Sequence, residues 1–558
     1  MDTDRRDRRS YTLRAYIILT LVLAYTGLTA YYLVKFQLFN KSPVKTHVIV
    51  HKLPAERGEI TDRNGFKIAF NHLAYNVYQR HRIPDKYVPL LQDLGLNVKN
   101  SPSYWKKNPR MVRIASNIPA EKVKEIYGIP GLTFEKAWFR TYTDPLIFEP
   151  IVGCVQRTSG SGLEGLEFEF DKYLKGVPGR IAYLITNIKD STKRNRYKIP
   201  LPDSQIVIPK KGCQLVLTID QKLQTIAYEA LKNGVDEWHA KRGAAIIEVP
   251  STGEILAFAI YPSYDPGLYT TTNPSLKRIW PITDPYEPGS IFKVITYGTA
   301  ISKGISPELM IDTDHGRIRI KNFIISDVHP LGRIPMKEAL IHSSNVGTIK
   351  LAFMIGKRRI YSTIKRAGVG RKTGIKLPGE NPGVMENYLK WDKTRFANVV
   401  IGYGFLINSL HIVTIYGAVA NNGQLVYPRI VKCINCPDST ITYSVRYGNR
   451  LFPAPVTKTL KSILVDVVEK GTGRRAKIEG IHIAGKTGTA NKLDRKSKRY
   501  NRSKRIVSFV GFFPAENPAY LIYVVVDEPH KKGFEAYGGS VAAPIFKNIV
   551  ETMVNMGY

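Results

Sequence analysis

From Ala15 to Val34 the chain reads AYIILTLVLAYTGLTAYYLV, without one charged side chain. A run of about 20 such residues, rising ~1.5 Å each as a helix, spans the hydrocarbon core of a bilayer and satisfies its own backbone there. That single feature orders the rest of the chain. Residues 1–14 are expected as a short tail, 15–34 as one transmembrane helix, and everything beyond as globular protein on the far side, since no later apolar stretch is long enough to cross. Tyr16, Tyr31 and Tyr32 suit the headgroup region, and Arg5, Arg6, Arg8, Arg9 and Arg14 place the tail in the cytoplasm. Lys35, Lys41 and Lys45 oppose that orientation, but long domains translocate largely regardless of charge. A cleaved signal peptide fits less well, because its apolar region usually runs about 7–15 residues and ends at a small-residue cleavage site.

The 558 residues exceed one ordinary core, and 43% hydrophobic with 23% charged residues describes folded protein rather than disorder. A formal charge of +36 suits any polyanion, including anionic lipid or a wall polymer. No zinc-finger spacing, RNA-binding aromatic signature or heptad-backed basic region accompanies it, so no nucleic-acid partner is expected. Four cysteines, Cys154, Cys213, Cys433 and Cys436, are too few for a disulfide scaffold or a structural zinc site. Cys433 and Cys436 read either as a local disulfide or as two unpaired thiols in a loop. Neither a metal nor a cofactor is expected.

Residues 35–211 are rich in proline, glycine and short apolar runs (Lys67 to Ala69, Ala74 to Tyr78, Arg180 to Ile185), the pattern of a strand-rich, elongated module without a catalytic cluster of its own. Residues 212–558 read as a second domain. There LVLTID is strand-like, Gln221 to Lys232 has helical spacing behind Asp220 as N-cap, and Ala244 to Val249 with Ile255 to Ile260 form a hairpin around Pro-Ser-Thr-Gly. Ile506 to Phe512 and Tyr520 to Val526 repeat that design before a helical Ala542 to Met556. The implied fold is an α/β sandwich on an antiparallel sheet flanked by helices.

Three motifs carry chemistry: Ser290-Ile-Phe-Lys293, Ser343-Ser-Asn345, and Lys486-Thr-Gly488 followed by Thr489. Two of the three recur by chance, with further Ser-x-x-Lys matches at Ser42, Ser103 and Ser362 and a second Lys-Thr-Gly at Lys372. Context separates them. Ser290 follows Glu-Pro-Gly and opens an apolar helical stretch, so Lys293 lies one turn on and faces the same side. A serine hydroxyl is a poor nucleophile, but a buried amine of lowered pKa takes its proton, and a helix N-terminus favours the developing anion. Ser343 and Asn345 interrupt two helical segments, the first able to relay a proton and the second to hold a substrate amide or Lys293; the bland alternative is a helix cap. Lys486 supplies charge for a carboxylate, and Gly488 permits a substrate to lie antiparallel along a strand edge. Lys372 leads into a Pro-Gly loop. The segment from Lys492 to Arg505, where Lys492, Arg495, Lys496, Lys498, Arg499, Arg502, Lys504 and Arg505 face only Asp494, reads as a solvated mobile loop that could steer an anionic substrate or touch phospholipid.

These motifs, in this order, resemble those of penicillin-binding proteins and serine β-lactamases. LTIDQKLQ, STGEILA, YEPGSIFK, SSNVG and GKTGTA are similar to the transpeptidase domain, and ERGEITDRNG with GLEGLEFEFDKYLKGVPG to the pedestal of class B, monofunctional members. The resemblance implies a penicillin-binding transpeptidase fold with a five-stranded antiparallel sheet, and an enzyme of the bacterial inner membrane that cross-links peptidoglycan stems. It implies attack by Ser290 on a D-Ala-D-Ala donor, Lys293 as base, Ser343 and Asn345 beside them, and an oxyanion hole from the backbone amides of Ser290 and Thr489. Lys486, Thr487 and Thr489 would bind the stem carboxylate, and β-lactams would acylate Ser290. Asn345 and the segment from Gly402 to Gln424 look more like the septal, cell-division type than the elongation type. Its implied partners are a SEDS-type membrane glycosyltransferase and divisome proteins. Rival readings are a D,D-carboxypeptidase, a β-lactamase or sensor, and a divisome scaffold with a vestigial site.

Overall fold

The computed structural model describes residues 3–39, 46–107, 110–157, 159–189, 194–201, 206–494, 497 and 499–558. Two compact units result. The first comprises residues 1–55 and 177–210, and the second residues 56–176 and 211–558. In the first unit one helix, Thr3–Phe39, contains a segment Thr12–Gln37 long and apolar enough to cross a membrane. Its apolar side chains are solvent-facing rather than packed against protein, as a bilayer span requires. An antiparallel sheet of Thr46–Leu53, Gly179–Lys189 and Arg194–Pro200 completes this unit.

The second unit is built on two sheets. In one, β1 (Ile60–Thr61) pairs with β2 (Lys67–Gln79), and β2 pairs along its length with Leu132–Tyr142. The same sheet continues through β3 (Gln214–Leu217), which runs parallel to β1, into β6 (Val431–Cys436). Here the cysteine reading is corrected. Cys213 and Cys436 form a disulfide, and Cys433 is a half-buried free thiol. Residues three apart on an extended strand point to opposite faces, so Cys433 and Cys436 cannot meet. Asn435 lies opposite Gln214 in the antiparallel register, which brings the next residues, Cys436 and Cys213, together with a Cα–Cα distance of 4.3 Å.

The other sheet has five antiparallel strands in the order β5 (Glu254–Tyr261), β4 (Arg242–Val249), β9 (Tyr520–Asp527), β8 (Arg499–Phe513) and β7 (Ala484–Asp494). Alternate residues go to opposite faces, and both faces are covered. Ala245, Ile247, Phe509 and Val524 pack with α1 (Gln221–Glu237) and α5 (Ala542–Asn555), while Ala244, Ile246, Val510 and Tyr523 join the core around α2 (Lys293–Ser302) and α4 (Ser409–Ala420). Burial on both sides is why these strands read as unbroken apolar runs, each buried Ile or Phe contributing roughly 1.5–3 kcal/mol. Asp220 caps α1 by accepting from Lys222 N and Leu223 N, as its position predicts. The expectation of a loop over residues 492–505 is also corrected. Lys492, Leu493 and Asp494 pair with Asn501, Tyr500 and Arg499 past a bulge, so β7 and β8 continue as a hairpin. Carboxylates elsewhere in the chain offset its charge: Lys492 Nζ contacts Asp527 at 2.9 Å and Glu528 at 2.6 Å. Arg495, Lys496 and Lys498 lie outside the described residues.

Candidate active site

Ser290 sits, half-buried, on a 3-10 turn, Gly289–Phe292, that runs directly into α2. The entry depends on glycine. Gly289 has φ +64°, and a Cβ there would lie 2.7 Å from Thr489 O. Gly402 presses on the same turn, and a Cβ on it would lie 2.0 Å from Gly289 O. Below, Tyr416 Oη donates to Ile291 O at 2.7 Å, tying the turn to α4. Of the rival serines, the two among the described residues lack this setting, Ser103 and Ser362 lying within the helices Pro102–Lys107 and Lys357–Arg366; Ser42 is outside the described residues.

Lys293 is fully buried. Its Nζ donates to Ser343 O at 2.6 Å, to Asn345 Oδ1 at 2.8 Å and to Ser343 Oγ at 3.2 Å. Burial pushes its pKa down to about 7, against the opposing charge of Asp327. The first two motifs are therefore joined through one amino group. Ser343 adopts φ +59° between the helix Met336–Ile341 and α3 (Asn345–Ile355), and Ser344, not Ser343, is the cap, accepting from Gly347 N.

Sequence reasoning missed Asp327. Its carboxylate accepts from Ser344 Oγ at 2.6 Å, from Val346 N at 3.0 Å and from Asn345 N, while Asn345 Nδ2 donates to the neighbouring Ser326 O at 2.8 Å. A carboxylate at the N-terminus of α3 also meets the positive end of its dipole. Nothing in SDVHP marks this residue, because its role arises from a turn folding back on a helix.

Lys486, Thr487, Gly488 and Thr489 lie on β7, the edge of the five-stranded sheet, with Lys486 opposite Val510 and Thr489 opposite Val507. Gly488 packs on the turn that holds Ser290, where a Cβ would lie 2.8 Å from the Ile291 side chain and 3.3 Å from Pro288 O. Thr487 Oγ1 is 2.8 Å from Thr472 Oγ1, and Thr489 Oγ1 accepts from Gly538 N at 3.1 Å. Lys486, expected to supply charge for a carboxylate, is fully buried and donates to Thr487 O at 3.1 Å, and burial together with the Lys293 charge holds its pKa well below the usual lysine range. The second match, Lys372 to Gly374, is a loop bound by Glu380, which accepts from Thr373 N and Oγ1.

A further junction closes the mouth. Tyr500 Oη on the hairpin donates to Glu287 Oε1 at 2.9 Å, Gly404 N donates to the same oxygen at 2.6 Å, and the Tyr403 and Tyr500 rings meet edge-on at 5.4 Å. Asn491 N in turn donates to Tyr403 Oη at 3.3 Å. The hairpin is thus fastened to the residues just before Ser290.

A serine at a strained helix entry, a buried amine one turn on and an open strand edge define a class of acyl-transfer sites. The family model for the penicillin binding protein transpeptidase domain matches residues 243–551, and that for the penicillin-binding protein dimerisation domain residues 52–217. The chain belongs to the penicillin-binding proteins, with the two-module composition of class B. Among its relatives, the probable peptidoglycan D,D-transpeptidase PenA of Neisseria gonorrhoeae is 30% identical over 98% of this chain and 92% of its own length. Stage V sporulation protein D of Bacillus subtilis is 32% identical over 89% of this chain and 77% of its own. The crystal structure of penicillin binding protein 3 from Mycobacterium tuberculosis complexed with aztreonam superposes with a TM-score of 0.70 at 26% identity, covering 91% of this chain and 97% of that one.

Proposed function

We propose that this chain is a peptidoglycan D,D-transpeptidase working through a Ser290 acyl-enzyme. The observation that carries the reading is the buried Lys293 amine held between Ser343 and Asn345 one turn after Ser290. Ser290 Oγ attacks the carbonyl carbon of the penultimate D-Ala, and its proton passes to the neutral Lys293 amine. The ester C–O bond forms, the peptide C–N bond breaks, and the proton leaves on the amine of the terminal D-Ala, with Ser343 as relay. The backbone amides of Ser290 and Thr489, on segments in contact through Gly289, stabilise the oxyanion, a contribution of about 3–4 kcal/mol per donor. An acceptor stem amine then attacks the ester, returns the proton to Ser290 and completes the cross-link. Thr487 and Thr489 bind the stem carboxylate directly. Buried Lys486 supports the strand that carries them, donating to Thr487 O at 3.1 Å. β-Lactams acylate the same serine.

We assign residues 1–14 to the cytoplasm, 15–34 to the span, 35–211 to the pedestal and 212–558 to the transpeptidase domain. Asn345 and the Gly402 to Gln424 segment support a septal role beside a SEDS-type glycosyltransferase and divisome proteins. Depletion in the native cell separates the alternatives: filaments with blocked septa support division, and round cells support elongation. The enzymatic test is a pentapeptide donor with an added acceptor amine. Cross-linked product with release of D-Ala is expected from the wild type and none from Ser290→Ala; release of D-Ala without cross-linking would make it a carboxypeptidase.

A further inference from the structure

Between α1 and α5, on the face of the five-stranded sheet away from Lys293, lies a cavity of about 400 Å3. That is within the size range of small-molecule sites. Its base is apolar, formed by Ala230, Val541 and Ile545, and it is tight: a Cβ on Gly234 would lie 2.4 Å from Ile545. Trp238 and Phe534, in edge-to-face contact at 6.4 Å, form one wall. Two cations border it. Lys531 is already committed, donating to Glu237 at 2.8 Å and lying over the Trp238 and Phe534 rings. Arg475 is exposed and forms no ion pair among the described residues. A free guanidinium beside an aromatic wall and an apolar base is complementary to a small carboxylate with an apolar body.

The walls of this cavity continue into the substrate strand. Thr472, three residues before Arg475, holds Thr487 Oγ1. Gly538, two residues before Ser540 of the cavity wall, holds Thr489 Oγ1. Between cavity and strand the two segments touch, since a Cβ on Gly539 would lie 2.6 Å from Thr472 O. The two threonines that face the stem carboxylate in the proposed function are therefore positioned by the segments that line the cavity.

We propose that this cavity is an effector site for a small aromatic or branched carboxylate, bound by Arg475 against Trp238 and Phe534, and that its occupancy alters acylation at Ser290 through Thr472 and Gly538. The binding claim stands apart from the proposed function; only the coupling claim rests on it. The test uses the full chain in detergent with N-acetyl-L-phenylalanine as probe, followed by Trp fluorescence, and N-acetyl-L-phenylalaninamide as uncharged control. Saturable binding of the acid is expected, weakened at least tenfold by Arg475→Gln, by Phe534→Ala and by the amide; both substituted residues are exposed, and melting curves check that the fold survives. At saturating acid, the rate of penicillin acylation is expected to change threefold or more in the wild type and not in Arg475→Gln. Absent saturable binding, or equal affinity for acid and amide, would overturn the site. Binding without a change in acylation would overturn the coupling. Should penicillin fail to acylate the wild type at all, the proposed function fails while the binding arm still decides the site.

Discussion

A lysine with its ammonium wholly inside protein keeps its proton only if enough charge faces it, and Lys293 has Asp327 alone to oppose burial. With its pKa pushed down to about 7, the amine is protonated below that pH and free above it. Acylation by a β-lactam is therefore expected to rise with pH through about 7 and level off above; a flat profile from pH 6 to 8 would contradict this assignment. Because the charge of Asp327 raises the Lys293 pKa, Asp327→Asn is expected to move that limb to lower pH. Asp327→Ala additionally leaves Ser344 Oγ and two backbone N–H groups without their acceptor, at a cost of about 1–3 kcal/mol each if buried, read as a lowered Tm. Lys293→Arg, which cannot release a proton, is expected to lower acylation by about 10² or more. Ser290 and Lys293 are legible in the sequence because their relation is one helical turn. Asp327 is not, because its contacts depend on a turn whose path no local pattern specifies.

The elements divide along the same line. Strands β4, β5, β8 and β9 announce themselves by apolar runs, since each is covered on both faces. β7 does not: KTGTANK carries polar side chains toward a cleft, and its strand character comes from pairing with β8. The hairpin beyond it reads as a loop in sequence because the carboxylates that meet Lys492, Asp527 and Glu528, are remote from it along the chain. Tyr500→Phe removes only the hydroxyl held by Glu287, a bond worth roughly 1 kcal/mol. The expected outcome is faster tryptic cleavage within residues 492–505 and several-fold slower acylation, with an unchanged Tm; cleavage at the wild-type rate would mean that the junction does not fasten the hairpin. The disulfide between Cys213 and Cys436 joins positions 223 residues apart, beyond any local reading. Reduction, or Cys436→Ser, is expected to lower stability by about 2–5 kcal/mol, measured by denaturant unfolding with and without reductant.

At the scale of the molecule, the anchor, the strand-rich module and the five-stranded sheet follow from hydropathy and period alone, because each is decided by where water is excluded. The pairing of remote strands does not. The sheet holding β1 and β2 extends through β3 into β6, so strands from widely separated parts of the sequence share one ladder. Such pairings lie beyond the reach of windowed patterns, which see only neighbours in sequence. The same long-range assembly places three short motifs around one cleft, and the central claim concerns what that cleft does. Its most direct measurement is covalent labelling of the full chain in membranes with a fluorescent penicillin, wild type beside Ser290→Ala. A single labelled band, located by peptide mapping to the segment holding Ser290 and absent from the variant, is the expected result. Equal labelling of the two chains would contradict it.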